Sequence, residues 1–370
     1  MTLKQNSFYI LLSLLFTLIG CSWNSETLET KITAQLESNS QVHGIPQQSL
    51  LIMHNQDIVY RNTVSANDIH DAVSEPNKSI YPIYSVTKLF ASTLIMQLNE
   101  ADKLKLTDPA SKYVSNLPLS WQKLRIEQFL NHTSGVPEYW TFDNDELQFP
   151  SSINEVFSNL ENEPLLFLPD SQIRYTQTNY IVIKAILEAI TEKSYKELVN
   201  NRIIEKLDLK QTWLGRKNIP KDHLITAYLP NSGDNLVENK VRFPEYAISH
   251  SDAYTNLDDL GKFMSALAQG DLVSKELLIQ LWQPYKLLDG DEGYFATGWD
   301  HDTSGTWQEL GHDGGGVLRV RIMFKTNLDD YYVLVYLTNG NKDGVWSRTL
   351  VDSVQYYVMP DLLSRLTTLI

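Results

Sequence analysis

The run Tyr84-Ser85-Val86-Thr87-Lys88 opens the first long stretch of helical periodicity and places a serine and a lysine three positions apart. On a helix that spacing puts both side chains on one face, close enough to exchange a proton. Serine is a weak nucleophile and needs a neighbouring base. Lysine is a poor base in water: with a pKa near 10.4, only about 0.04% of it is neutral at pH 7. Burial and nearby positive charge would have to lower that pKa, each unit corresponding to about 1.4 kcal/mol. A helix N-terminus helps twice, by disfavouring the ammonium and by pointing the Ser85 N–H at a developing oxyanion. The chemistry that follows is acyl transfer through Ser85. Spacing alone is not distinctive, because Ser120-Trp121-Gln122-Lys123 repeats it. That second pair follows Pro118-Leu119 and reads as a helix N-cap with a surface lysine.

The companions of Ser85 carry more information. They are Leu104-Lys105-Leu106-Thr107-Asp108-Pro109, then Phe129-Leu130-Asn131-His132-Thr133-Ser134-Gly135, then Arg174-Tyr175-Thr176-Gln177-Thr178-Asn179-Tyr180 entering a helix. Leu257-Asp258-Asp259-Leu260, Gly298-Trp299 and Gly311-His312-Asp313-Gly314-Gly315 follow in order. From about residue 26 to the C-terminus the chain resembles the class C β-lactamase and penicillin-binding-protein-like serine hydrolases. The resemblance implies that Ser85 is the nucleophile and Lys88 its general base. It gives Tyr175 the tyrosine place of the Tyr-x-Asn motif, sharing proton transfer with Lys88. His312-Asp313-Gly314 takes the place of the Lys-Thr-Gly strand motif, with the N–H groups of Ser85 and Gly315 as the oxyanion hole. It implies no cofactor. The substrate would be a cell-wall or D-amino-acid peptide, a β-lactam or a carboxylic ester. The rival reading is a non-catalytic penicillin-binding-like envelope protein that binds peptidoglycan.

The chain departs from the family pattern in two places. Gln177 stands where the motif has Asn, so the amide survives but reaches one methylene further. Asp313 stands where a hydroxyl is expected, and a carboxylate there would repel a substrate carboxylate beside the scissile bond. At about 4 Å and an effective dielectric near 20 that repulsion approaches 4 kcal/mol. Neutral esters or amides, or substrates with a nearby amine, are therefore expected over penicillins and D-alanyl-D-alanine peptides. Arg319 and Arg321, further along the same strand, would compensate if they turned into the cleft.

Other strings read as structural. Tyr254-Thr255-Asn256 is a literal Tyr-x-Asn, but Thr255 three residues before Asp258 reads as a capping box. Lys325-Thr326-Asn327 lies at the turn end of its strand. His132 reads as a structural histidine in a tight loop. Asp289-Gly290-Asp291-Glu292-Gly293 lacks EF-hand spacing, and the eight histidines show no H-x-x-x-H pairing, so no metal is expected.

The elements that must hold these residues follow from periodicity. A short amphipathic helix is expected over residues 28–36, then a hairpin of strands 49–53 and 57–60. Helical patterns dominate to about residue 280, over 179–191, 196–207, 257–268 and 274–282. Strands return at 317–324 and 331–337, and a last helix covers 345–357. Strands at both ends around a helical middle imply an α/β (α+β) fold. Its antiparallel sheet would be formed by N- and C-terminal segments flanked by helices, with a mainly helical lobe inserted over roughly 95–280. The active site would lie between the two.

Composition bounds the partners. With 370 residues, net charge −14 and no basic run, nucleic-acid binding is excluded. A small-molecule or peptide substrate fits, peptidoglycan included. Lys4 precedes an apolar run from Phe8 to Ile19, shorter than the roughly 20 residues of a membrane span and shaped like an export signal. Leu18-Ile19-Gly20-Cys21 resembles a lipobox, which implies a signal peptide over 1–20, lipidation of Cys21, and a polar tether over 21–27 leading to a hydrolase domain over 28–370. Several acyl chains on one residue anchor a protein stably. Ser22 resembles outer-membrane sorting, so the expected location is the periplasmic face of the envelope. No cysteine then remains for a disulfide.

Overall fold

A computed structural model describes residues 27–66, 75–144, 146–231, 235–315 and 317–359. Cys21 and the export signal lie outside the described residues. Among these, the largest element is a seven-stranded sheet with all neighbours antiparallel. Its order is Phe295–Ala296, Trp299–Ser304, Trp307–Gly314, Leu318–Phe324, Tyr331–Thr338, Gln47–His54 and Asp57–Ser65. The N-terminal hairpin thus joins the sheet beside the last strand, as the sequence pattern predicts.

Alternation along the strands fixes which core each residue enters. Leu50 and Ile52 face the helices Leu28–His43 and Ser347–Val358, packing with Ile32, Leu36, Leu350 and Val354. Leu51 points to the opposite face, into the core shared with the lobe. There the helix Leu257–Gln269 lies so close that a Cβ on Gly261 would come within 2.2 Å of the Leu51 side chain. The central strands Gln47–His54, Leu318–Phe324 and Tyr331–Thr338 are therefore buried on both faces and rich in apolar residues, whereas the outer strands Asp57–Ser65 and Trp299–Ser304 are polar and partly exposed.

Three local expectations need correction. The first helix runs sixteen residues, Leu28–His43, because Thr27 caps its start and Gly44, in the left-handed region, closes it. Thr255 is not a cap. It lies in the short strand Ala253–Thr255, and the side chain of Asn256 caps the next helix by accepting from the Asp259 N–H at 2.9 Å. Ser120 caps nothing either: it is exposed in a 3-10 turn, and Lys123 is exposed beside it. The lobe also contains strands that helical periodicity concealed. Tyr81–Pro82, Ala253–Thr255 and Thr212–Leu214 form a three-stranded sheet that ties the segment before Ser85 to the segment after His250.

Candidate active site

Ser85 does not start an α-helix directly. Tyr84–Thr87 forms a 3-10 turn that runs into the helix Lys88–Glu100. Tyr84 has φ of +44°, a region that bulky residues avoid at a cost of order 1–3 kcal/mol. The surroundings enforce it. A Cβ on Gly314 would come within 2.7 Å of the Ile83 carbonyl, and one on Gly315 within 3.1 Å of the Tyr84 ring. Only glycines let the end of strand Trp307–Gly314 close against the turn that holds Ser85. At the first turn of a helix the Ser85 N–H has no intrahelical acceptor, so it is available to an anion.

Lys88 is fully buried. Its Nζ donates to Gln177 Oε1 at 2.5 Å and to the His250 carbonyl at 2.8 Å, and lies 3.3 Å from Ser85 Oγ. Burial drives its pKa well below the usual lysine range, against the opposing charges of Glu138 and Asp300. The longer Gln177 amide thus reaches the lysine. A neutral amine has two N–H groups and one lone pair, and both an amide oxygen and a peptide carbonyl can only accept. With both N–H groups taken, the lone pair is left for the Ser85 hydroxyl.

Tyr175 hydrogen-bonds Ser85 through its hydroxyl, and its ring lies over Lys88, 5.0 Å from Nζ. Some 37% of its surface faces the cleft, while burial of its hydroxyl end pushes its pKa well above the tyrosine range. His132 positions this tyrosine. Its carbonyl accepts from the Arg174 N–H at 2.9 Å, its Nδ1 from the Thr176 N–H at 3.3 Å, and its ring lies 4.2 Å from that of Tyr175. Asn179 Nδ2 also donates to Nδ1 at 2.8 Å, so the proton of this buried ring is on Nε2. The structural reading of His132 is consistent with this geometry.

His312 lies 5.9 Å from the Tyr175 ring. Its Nδ1 faces the Asp313 carbonyl at 2.7 Å and must donate to it, which leaves the buried Nε2 lone pair without a partner among the described residues. Burial lowers its pKa, so the ring is neutral near pH 7. Asp313 sits between Arg319 at 3.1 Å and Arg321 at 2.8 Å. Burial works against its ionisation, but the two guanidinium groups outweigh burial and hold the carboxyl below the usual range. The expected repulsion by an isolated Asp313 is therefore corrected: both arginines turn toward it. They are not free cations, however. Arg321 also pairs with Asp300 at 3.5 Å, and Arg319 with Glu309 at 3.4 Å and Asp352 at 3.7 Å. Arg348 pairs with Asp302 at 2.8 Å.

Ser85, Tyr175, His312, Asp313, Arg319 and Arg321 line one cleft of about 910 Å³ between sheet and lobe. Its far rim is apolar, with Leu229, Tyr294 and Trp346 exposed. Sequence reasoning missed Glu138, His250 and Asp300. His250 acts through a backbone carbonyl, which no side-chain motif reports. Asp300 follows the matched Gly298-Trp299, and Glu138 follows the matched run ending at Gly135, but neither spacing is distinctive.

Comparison with known proteins identifies the fold and the family. The family model described as Beta-lactamase matches residues 32–350. Penicillin-binding protein 4* of Bacillus subtilis is 23% identical over 323 residues, covering 83% of this chain and 71% of that protein. Protein flp of Staphylococcus aureus is also 23% identical, and the chain spans 64% of its length. The D-amino acid amidase of Ochrobactrum anthropi, complexed with D-phenylalanine, superposes with a TM-score of 0.74 at 19% identity. That match covers 90% of this chain and 99% of the amidase. The arrangement around Ser85 is thus carried on a fold shared along most of the chain, which belongs to the Beta-lactamase family of serine hydrolases.

Proposed function

We propose that the protein hydrolyses an ester or amide through an acyl-enzyme on Ser85, with Lys88 as general base. One observation carries this reading: the two N–H groups of a neutral Lys88 are consumed by Gln177 and His250, so its lone pair faces Ser85. The Ser85 proton passes to Lys88 as Oγ bonds to the substrate carbonyl carbon. The oxyanion is held by the N–H groups of Ser85 and Gly315. Tyr175, hydrogen-bonded to Ser85, gives its proton to the departing alcohol or amine and is reprotonated by the Lys88 ammonium. Water then adds to the acyl carbon as the neutral Lys88 takes its proton, and that proton returns to Ser85 Oγ as the acyl ester breaks. His312, beside Tyr175 on the cleft lining, packs against the bound substrate.

The cleft favours substrates without a carboxylate beside the scissile bond. Its arginines are each paired: Asp300, Asp302 and Asp313 on the lining match Arg319, Arg321 and Arg348 in number, and Arg319 is further engaged by Glu309 and Asp352 behind it. Neutral esters and amides, or substrates bearing an amine, fit this field, and the rim of Leu229 and Trp346 suits an apolar substituent. A purely binding protein would not need a base oriented in this way. Labelling with a fluorophosphonate probe tests the reading: wild type should label and Ser85→Ala should not. Labelling retained in Ser85→Ala, or found on Ser120, would overturn it.

We further propose that the protein works in the cell envelope, anchored through lipid on Cys21. The Leu-x-Gly-Cys string supports this, and no helix among the described residues is long and apolar enough to cross a membrane. Cys21→Ser should move the protein into the soluble fraction. Continued sedimentation with membranes after a salt wash would refute the anchor.

A further inference from the structure

The acceptors that orient Lys88 are themselves held by two adjacent residues of one loop. Glu138 takes the Gln177 N–H on Oε2 at 2.9 Å and the Thr178 hydroxyl on Oε1 at 3.3 Å. Gln177 is the N-cap of the helix Thr178–Thr191, where a carboxylate also meets the positive end of the helix dipole. The next residue, Tyr139, is buried, and its hydroxyl meets His250 Nε2 at 2.9 Å. The other imidazole nitrogen is bonded to Ser251 Oγ at 2.7 Å, so the ring is tied at both ends. Phe243 and Trp140 pack around it. One residue of the loop therefore fixes the turn that presents the Gln177 amide. The other fixes the short helix Ile248–Ser251 that presents the His250 carbonyl.

We propose that residues 138 and 139 form a clamp that aims the Lys88 amine at Ser85: Glu138 acts through Gln177, and Tyr139 through His250. Neither residue lines the cleft, so both are positioning residues. The inference rests on Lys88 being the base. Its logic is geometric. With two acceptors in place the amine has one free direction, and if either acceptor drifts the amine can rotate and turn an N–H toward Ser85. A misplacement of about 1 Å in such a contact can cost on the order of a hundredfold in rate. Glu138 has a second, separable effect: its charge favours the ammonium form of Lys88.

The two effects can be split by substitution. Glu138→Ala loses both hydrogen bonds and charge; Glu138→Gln removes the charge, keeps an oxygen for the Gln177 N–H and turns the other position into a donor that the Thr178 hydroxyl can accept; Tyr139→Phe keeps the ring and loses only the hydroxyl. Steady-state hydrolysis of a nitrophenyl ester would be followed from pH 5 to 10, with Ser85 labelling and circular dichroism as checks on the site and fold. Glu138→Ala and Tyr139→Phe are expected to lower kcat by about tenfold to a hundredfold with KM little changed. Glu138→Gln should restore most of kcat, and its acidic limb should lie at lower pH than in wild type, because Lys88 then loses its proton more readily. Wild-type kcat in Glu138→Ala and Tyr139→Phe would overturn the clamp, as would an unmoved acidic limb in Glu138→Gln. If Glu138→Ala does not fold, the other two variants decide the question by the same criteria. Lys88→Ala separates the two failures. If it stays active, the base assignment itself falls; if it is inactive while the loop variants behave as wild type, only the clamp falls.

Discussion

Two basic side chains lie buried beside the same cleft, and they are accommodated in opposite ways. Lys88 is fully buried and makes no ion pair among the described residues; it hydrogen-bonds a hydroxyl, an amide and a peptide carbonyl. Arg319 is 2% exposed and meets Glu309, Asp313 and Asp352. The difference follows from proton affinity. An amine relieves the cost of burial by releasing its proton, whereas a guanidinium does not deprotonate in proteins and must be paired. Keeping carboxylates out of contact with Lys88 maintains a base, and surrounding Arg319 with them maintains a strut between neighbouring strands and the last helix.

The largest expected effect breaks the first half of this comparison. Lys88→Ala should lower kcat for a nitrophenyl ester by about 10²–10⁴-fold, the usual contribution of a general base. Activity in wild type should fall on the acid side as Lys88 takes up its proton, at a pH well below that of ordinary lysine. Arg319→Met tests the second half. It takes the buried guanidinium from Glu309 and leaves Asp313 with Arg321 and Asp352 with Arg348, and should destabilise the fold by about 3–5 kcal/mol, measured by urea unfolding. Wild-type stability in that variant would show that the network contributes nothing.

A subtler effect sharpens the contrast. In the unfolded chain Lys88 titrates near pH 10.4, whereas the folded protein favours its neutral form. Between the folded-state pKa and about 10.4 the unfolded state binds more protons, so this residue makes stability rise with pH across that window. Lys88→Met should therefore melt higher than wild type at pH 7, with the gap narrowing toward pH 10. A constant gap would mean that the lysine is not held neutral. The smallest effect concerns specificity. Wild type should prefer a short-chain nitrophenyl ester over nitrocefin and a D-alanyl-D-alanine peptide in kcat/KM. Asp313→Thr releases Arg321 toward the cleft and should raise the relative rate on the two carboxylate substrates several-fold. Nitrocefin or the peptide leading in wild type, with no gain on substitution, would show that this charge network does not select against carboxylates.

How much of this was legible in the sequence depended on what each residue contributes. Ser85, Lys88, Tyr175 and His312 offer side-chain chemistry in a recognisable order, and the structure brings them together. The terminal strands were legible from β-branched apolar runs, and the long helices from periodicity. The three-residue strand Ala253–Thr255 was not, because a strand of that length has no alternation to read. The setting of Asp313 was open because it depends on where Arg319 and Arg321 point, and rotamers leave no trace in a sequence. Gln177 was uncertain for the same reason: whether one extra methylene reaches Lys88 depends on the backbone that Glu138 and the helix start impose.

The sheet order also has a consequence in time. Gln47–His54 lies between Asp57–Ser65 and Tyr331–Thr338, and the Tyr336 hydroxyl donates to Gln48, 288 positions away. At a synthesis rate of about 5–20 residues per second, the first strand waits roughly 15–60 s for its second neighbour. Through that interval Leu50, Leu51 and Ile52 present an unpaired apolar edge, the kind of segment that aggregates unless it is shielded. Shielding of that edge is therefore most valuable early in synthesis. The sheet cannot close until its last strand is made, an order of events compatible with the export proposed above.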